Sequence, residues 1–137
     1  MMRVSAPTPA HTHRTPIQLR FSDTDALGHI NNGSFVAYAE TARLTFFNEI
    51  LDASRSLILA HIAVDFRLQI RFGEQVEVLT WVVAVGKSSA TVMHQILANG
   101  AVAGEALAVV VCFDYDAQLS RPWTAASRGQ LETWRRL

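Results

Sequence analysis

Between Phe21 and Gly33 the chain reads FSDTDALGHINNG, which sets Asp23, Asp25, His29, Asn31 and Asn32 around Gly28 directly before a long helical pattern. Asp23 and Asp25 are two apart at the end of an alternating stretch, so as strand residues their side chains share a face. Gly28 allows a φ > 0 turn or a close backbone approach to a ligand. The first N–H groups of the helix that follows are unpaired and carry partial positive charge. A carbonyl oxygen that becomes an oxyanion is stabilised by such groups. A carboxylate nearby can take a proton from water or attack the carbonyl itself. These are the parts needed for acyl transfer to water. Asp, Asn and Gly are also ordinary turn and cap residues, so residue types alone leave capping and catalysis equally open. No GxSxG elbow, P-loop glycine pattern or cysteine-based metal spacing occurs.

The elements that would position this segment follow from periodicity. Residues 17–23 (IQLRFSD) alternate like a half-buried strand. A helix is expected from Ser34 to Leu51, with Asn31, Asn32 or Ser34 as its N-cap. At 100° per residue Phe35, Ala39, Ala42, Phe46 and Ile50 form one stripe, which Val36, Leu44, Phe47 and Leu51 widen to about half the helix. Glu40 and Arg43 project inside that arc, one turn apart, and read either as a mutually satisfied ion pair or as a pair supporting a site. Strands are expected at Val64–Phe72, Glu74–Val85, Ala90–Leu97 and Ala101–Tyr115, with a turn at Gly86–Ser89 and a hairpin at Asn99-Gly100. A short helix is expected within Ala125–Leu137. One long helix followed by consecutive strands is an α+β pattern with an antiparallel sheet. A single helix covers one face of that sheet, so the other face or an edge should meet another subunit.

Composition narrows the function classes. At 137 residues the chain fits one domain, expected over residues 16–137 behind a flexible tail of residues 1–15. The tail holds His11 and His13, but two histidines on a loose segment are not a metal site, and no metal is expected. Lys+Arg and Asp+Glu both number 12, which argues against a nucleic-acid partner. No apolar run is long enough to span a membrane and no signal peptide is evident, so the expected location is the cytoplasm. Cys112, the single cysteine, lies in an apolar run and reads as a small buried hydrophobe with nothing nearby to activate it. His61 and His94 carry no motif and read as loop and strand residues.

Asp23-Thr24-Asp25-Ala26-Leu27-Gly28-His29-Ile30-Asn31-Asn32 resembles the D-x-D-x-x-G-H-[VI]-N-N signature of hotdog-fold acyl-CoA thioesterases of the 4-hydroxybenzoyl-CoA thioesterase type. Tyr38-Ala39-Glu40-Thr41-Ala42-Arg43 resembles the Y-x-E-x-A-R helix segment of that family, and the resemblance extends over roughly residues 17–115. It implies a hotdog fold, an antiparallel sheet of about five strands wrapped around one long helix. It implies a homo-oligomer, dimer or tetramer, with sites at the subunit boundary, acting on an acyl-CoA or acyl-carrier-protein thioester. Coenzyme A belongs to the substrate and no cofactor is implied. Asp25 takes the place of the family's catalytic carboxylate, as nucleophile or general base, and Asp23 that of a structural brace. The backbone near Asn32 and Gly33 would polarise the thioester carbonyl, with His29 and Asn31 lining or bracing the loop. Coenzyme A phosphates would lie near Lys87, Ser88 and Ser89, with Arg67 or Arg71 assisting. Glu40 is a second candidate base, since other hotdog branches carry the carboxylate on the helix. A proline common before the Gly-acid turn is absent here, where Gln69 stands. The rival readings are an acyl-binding hotdog protein without turnover and a hotdog dehydratase.

Overall fold

The computed structural model describes residues 12–51 and 56–136. Five strands form an antiparallel sheet: β1 (His13–Ile17), β2 (Leu57–Phe66), β3 (Val76–Val85), β4 (Ser89–Ala98) and β5 (Ala101–Asp114). Their spatial order is β1-β3-β4-β5-β2, and the two-residue strand β6 (Leu119–Ser120) pairs with the end of β5. Helix α1 (Asn32–Ile50) lies across one face of the sheet, and α2 (Ala125–Thr133) closes the chain. This is the α+β arrangement expected, with the sheet wrapped around one long helix.

Alternation decides which residues meet the helix. Val76 and Val78 of β3, Ile96 and Ala98 of β4 and Ala103 of β5 pack with Phe35, Tyr38 and Ala42 at the N-terminal half of α1. Val82, Ala90, Val92, Ala108 and Val110 pack with Phe46 and Phe47 at its C-terminal half, where Leu131 and Trp123 complete the core. The helix needs room, and small residues supply it. A Cβ on Gly104 would lie 3.0 Å from the Phe35 ring and 3.2 Å from the Asp65 carbonyl oxygen.

Several expected boundaries move, each for a local reason. β1 begins at His13, inside the stretch expected as a tail, while residues 1–11, with His11, lie outside the described residues. His13 is buried, bonded to Glu49 at 2.6 Å and set against Phe46 and Trp134. Residues 18–23 leave the sheet, because Arg20 and Asp23 cap a 3₁₀ turn over Phe21–Asp23. The strand expected at Val64–Phe72 instead ends at Phe66 and begins at Leu57, which places His61 in a strand and not a loop. Beyond Phe66 the chain is held from two sides: the N–H groups of Arg67 and Leu68 both bond the Ala103 oxygen, and Ile30 N–H bonds the Ile70 oxygen at 2.7 Å.

The Asn99-Gly100 hairpin forms with φ of +48° and +83°, as a two-residue turn requires. On α1 the buried arc is narrower than expected, since Val36 and Leu44 face outward. Glu40 is exposed, whereas Arg43 is buried. No ion pair joins them among the described residues, so the expected mutual satisfaction does not hold. Cys112 is buried as expected, but the Arg121 guanidinium does reach its sulfur. No helix among the described residues is long and apolar enough to cross a membrane.

Candidate functional site

The segment between the 3₁₀ turn and α1 folds back on itself through an isolated pairing of Thr24 with Ile30. Gly28, at φ +81°, makes the reversal. Asp25 closes the loop from inside: its N–H bonds the His29 oxygen at 2.7 Å, and its Oδ1 accepts from Leu27 N–H at 2.8 Å and His29 N–H at 3.0 Å. Both bonds fall on Oδ1, which leaves Oδ2 without a partner among the described residues. The N–H groups of His29 and Leu27 hold the carboxyl below the usual aspartate range. Asp25 is exposed and ionised, pinned by backbone that favours its charged form.

Asp23 faces the opposite way, so the two acids do not share a face; the 3₁₀ turn has replaced the strand that would have aligned them. It is buried and accepts from Tyr38 Oη at 2.7 Å and Arg20 N–H at 3.1 Å, with the Arg20 guanidinium at 3.4 Å. Burial raises its pKa, but these donors outweigh burial and keep it lowered. Burial and the Asp23 charge in turn push the Tyr38 hydroxyl well above the usual phenol range. The Asp23 carbonyl takes the N–H of Asn31 at 2.9 Å and its side-chain amide at 2.8 Å.

Asn31 is the N-cap of α1, its Oδ1 accepting from Ser34 N–H at 2.8 Å. A Cβ on Gly33 would sit 3.2 Å from that Oδ1, so glycine there leaves the cap undisturbed. The N–H groups of Asn32 and Gly33 have no acceptor among the described residues, as the first turn of a helix dictates.

A cleft of about 290 Å³ opens beside this loop, walled by Phe35, Phe66 and Leu68. Asp25, His29, Asn31, Asn32 and Arg67 line it together. Gly33 lines a neighbouring cleft of about 480 Å³ on the β1 side of α1, with Asp23 in its wall. That cleft is the larger, but its carboxylate is already engaged by Tyr38 and Arg20, so the smaller one holds the open acid. Arg67 donates to Asp65 and Glu105, each at 3.3 Å, and is part of an internal ion cluster. Arg71 is exposed beside the loop, paired by backbone with His29.

Lys87 and Ser88 lie in the β3–β4 turn and Ser89 opens β4, all at the Phe47 end of the core, the far end of the sheet from Ile30 and Phe35. Within one chain they lie about 30 Å along the strands from the loop, so a single chain does not bring them to the cleft. Glu40 likewise lines a different cavity, shared with Arg43. Reading residue types missed the walls Phe35, Phe66 and Leu68, which look like core and strand residues, and missed Tyr38 as the anchor of Asp23. Among the described residues no cluster of three His, Cys, Asp or Glu side chains could hold a metal ion.

Residues 19–131 match the model of the thioesterase-like superfamily. A thioesterase of Thermus thermophilus, solved with coenzyme A and Zn, superposes with a TM-score of 0.83 at 31% identity, covering 93% of this chain and 98% of its own. A predicted thioesterase of Bacillus stearothermophilus gives 0.85 at 29% identity, covering 91% and 97%. The uncharacterised protein YsmA of Bacillus subtilis (strain 168) is 30% identical over 82 residues, 57% of this chain, and the match spans 56% of YsmA. With the sheet, the central helix and the acid loop in place, this chain belongs to the thioesterase-like superfamily and has the hotdog fold.

Proposed function

We propose that the protein hydrolyses an acyl-CoA or acyl-carrier-protein thioester, with Asp25 as the reacting carboxylate and the N-terminus of α1 as the oxyanion site. One observation carries the reading: Oδ1 of Asp25 is pinned by two backbone N–H groups while Oδ2 stays open, on a loop that leads directly into the unpaired N–H groups of Asn32 and Gly33. As general base, Asp25 takes a proton from water as the water oxygen bonds the carbonyl carbon. The carbonyl oxygen gains the charge and is held by the helix N-terminus. Collapse of the tetrahedral species expels the thiolate, which recovers the proton. As nucleophile, the same carboxylate bonds the carbonyl carbon and expels the thiolate, and water then cleaves the resulting anhydride, restoring Asp25 and releasing the acyl group as its acid. The complex of the Thermus relative with coenzyme A supports a coenzyme A ester as substrate.

A second copy of the chain completes this reading. β2 is a ten-residue strand that among the described residues pairs only with β5, at the edge of the sheet, and it carries neither Lys nor Pro to blunt it. Phe66 and Leu68, which line the cleft, are about half exposed, an apolar edge that favours cover by another subunit.

The test is release of free thiol from a panel of acyl-CoA thioesters. Asp25→Asn is expected to lower turnover by about 10²–10⁴-fold with the oligomer intact. Near-normal turnover in that variant sinks the mechanism. Binding of acyl-CoA by the wild type without thiol release would identify an acyl-binding protein instead.

A further inference from the structure

A separate cavity of about 280 Å³ lies between the middle of α1 and the start of β2. Phe47, Leu57, Leu59 and Val110 give it apolar walls, Arg43 reaches into it from the helix, and the exposed Glu40 stands at its rim. Arg43 is only 5% exposed, and its Nη1 is buried with no hydrogen-bond partner among the described residues. Burial pulls its pKa down, and Glu40 opposes this only through its field, without an ion pair. Leaving a buried guanidinium nitrogen without an acceptor is costly. The cost is removed by a ligand that supplies that acceptor.

The chemistry of that ligand follows from the walls and the charge. A guanidinium presents parallel N–H groups that a carboxylate matches in bidentate fashion. Apolar walls favour a methylene chain. We infer that this cavity binds a hydrocarbon chain ending in a carboxylate, with Arg43 as the group that reads the anion. Two sources carry that chemistry: the far end of a dicarboxylic acyl group whose thioester sits at an Asp25 loop, or the free acid that hydrolysis releases. The first source rests on the proposed function and its second copy. Within one chain Leu57 and Phe66 lie about 30 Å apart at opposite ends of β2. Antiparallel pairing of two β2 edges about a two-fold axis sets the Phe66 end of one copy beside the Leu57 end of the other. The Arg43 cavity of one copy then adjoins the Asp25 cleft of its mate.

The experiment has a binding arm and a turnover arm, on the full chain. In the first, octanoate and octanol are titrated calorimetrically into the wild type, Arg43→Met, Arg43→Lys and Glu40→Gln. Octanoate is expected to bind the wild type and octanol at least tenfold more weakly. Arg43→Met should weaken octanoate roughly 10- to 100-fold, Arg43→Lys should recover part of the loss, and Glu40→Gln should tighten binding. In the second arm, kcat/KM is compared for octanoyl-CoA and its ω-carboxy counterpart. A preference of tenfold or more for the ω-carboxy ester, abolished in Arg43→Met, assigns the site to the distal end of the acyl group. Equal kcat/KM, with inhibition by octanoate that Arg43→Met removes, assigns it to the released acid. Octanoate affinity that is absent in the wild type, or the same in wild type and Arg43→Met, overturns the inference. If Arg43→Met does not fold, unchanged affinity in both Arg43→Lys and Glu40→Gln overturns it equally. If no thioester is cleaved but octanoate binding depends on Arg43, the carboxylate site stands and the hydrolase reading falls.

Discussion

Mild acid should destabilise this protein well above the range in which its carboxylates titrate, and His94 is the reason. The ring lies on the helix-facing side of β4 and is fully buried. Its Nδ1 shares a 2.9 Å hydrogen bond with Thr80 Oγ1, and Nε2 has no partner among the described residues. Burial first, and the Arg43 charge second, push its pKa down to about 3. In the unfolded chain the ring titrates near 6.5 (roughly the free value). Between these two values the folded ring is neutral and the unfolded ring protonated. The unfolded state therefore binds the extra proton, and stability falls as pH falls. The slope approaches about 1.4 kcal/mol per pH unit, and from pH 7 to pH 5 the loss integrates to about 2 kcal/mol. That is on the order of 6–10 °C in Tm for a chain of this size at fixed protomer concentration. Asp23 and Asp25 do not contribute in this window. Their folded pKa values lie below 3.8, so their stabilisation is lost only as pH falls through that value and beyond. His94→Gln keeps an amide that can bond Thr80 and deletes the titration. Urea unfolding of both proteins at pH 7 and pH 5 should show the wild type losing about 2 kcal/mol more than the variant. Equal losses would refute the reasoning, because they require the protonated ring to find water or a partner inside the fold. Arg43→Met removes a like charge from the ring, which raises its folded pKa and makes the acid loss level off at a higher pH than in the wild type.

Other positions give independent tests. Tyr38→Phe leaves the buried Asp23 carboxylate one donor short; a loss of about 1.5–3 kcal/mol is expected at pH 7, shrinking toward pH 3 as the acid protonates, measured by urea unfolding at several pH values. Gly28→Ala forces an L-residue to φ +81°; a stability loss of about 1–2 kcal/mol should accompany a larger fractional fall in kcat, because the strain lies in the loop that holds Asp25. Gly104→Ala drives a methyl against Phe35 and the Asp65 carbonyl and should cost about 1–3 kcal/mol in thermal or urea unfolding. Because Asp25 is active when ionised and its pKa is lowered, kcat/KM should hold its plateau down to about pH 4 and fall below it; a limb rising through pH 6–7 would assign the chemistry to another group.

Local signals recovered most of the fold. α1, the Asn99-Gly100 hairpin and the order of the last three strands follow from periodicity and turn chemistry, which act over a few residues. The misplaced boundaries share a different cause. Residues 18–23 and 67–72 alternate like strands, yet each is claimed by a contact remote in sequence or by a cap: Arg20 with Asp23 in the first, Ile30 with Ile70 in the second. β1 was hidden in a Pro- and Thr-rich stretch because an edge strand tolerates Pro16, which pairs opposite Glu77 and has no N–H to offer the ladder. His13 and Glu49 then join that edge to the end of α1 across 36 residues, a distance no local pattern carries.

The acid-rich loop shows what residue types convey about a site and what they omit. Two aspartates in one motif have identical chemistry until the fold divides them. Tyr38, a turn and a half into the helix, takes Asp23 into the core, and a glycine at positive φ curls Leu27 and His29 N–H groups onto Asp25. Neither partner is next to its acid in a strand register, so alternation predicted a shared face where the structure makes opposite ones. The same logic explains Arg43. Helical spacing placed it beside Glu40 and suggested mutual neutralisation, but the helix rotates Glu40 to solvent while Arg43 stays under Phe47 and β2. A pair that is adjacent on a helix surface is separated when the edge of the buried face runs between its members. The buried member then keeps its charge without its counter-ion. That is a local conflict of the kind that proteins retain where a ligand resolves it, and it is why the unmatched guanidinium, more than the exposed acids, marks the second place on this fold to look for substrate recognition.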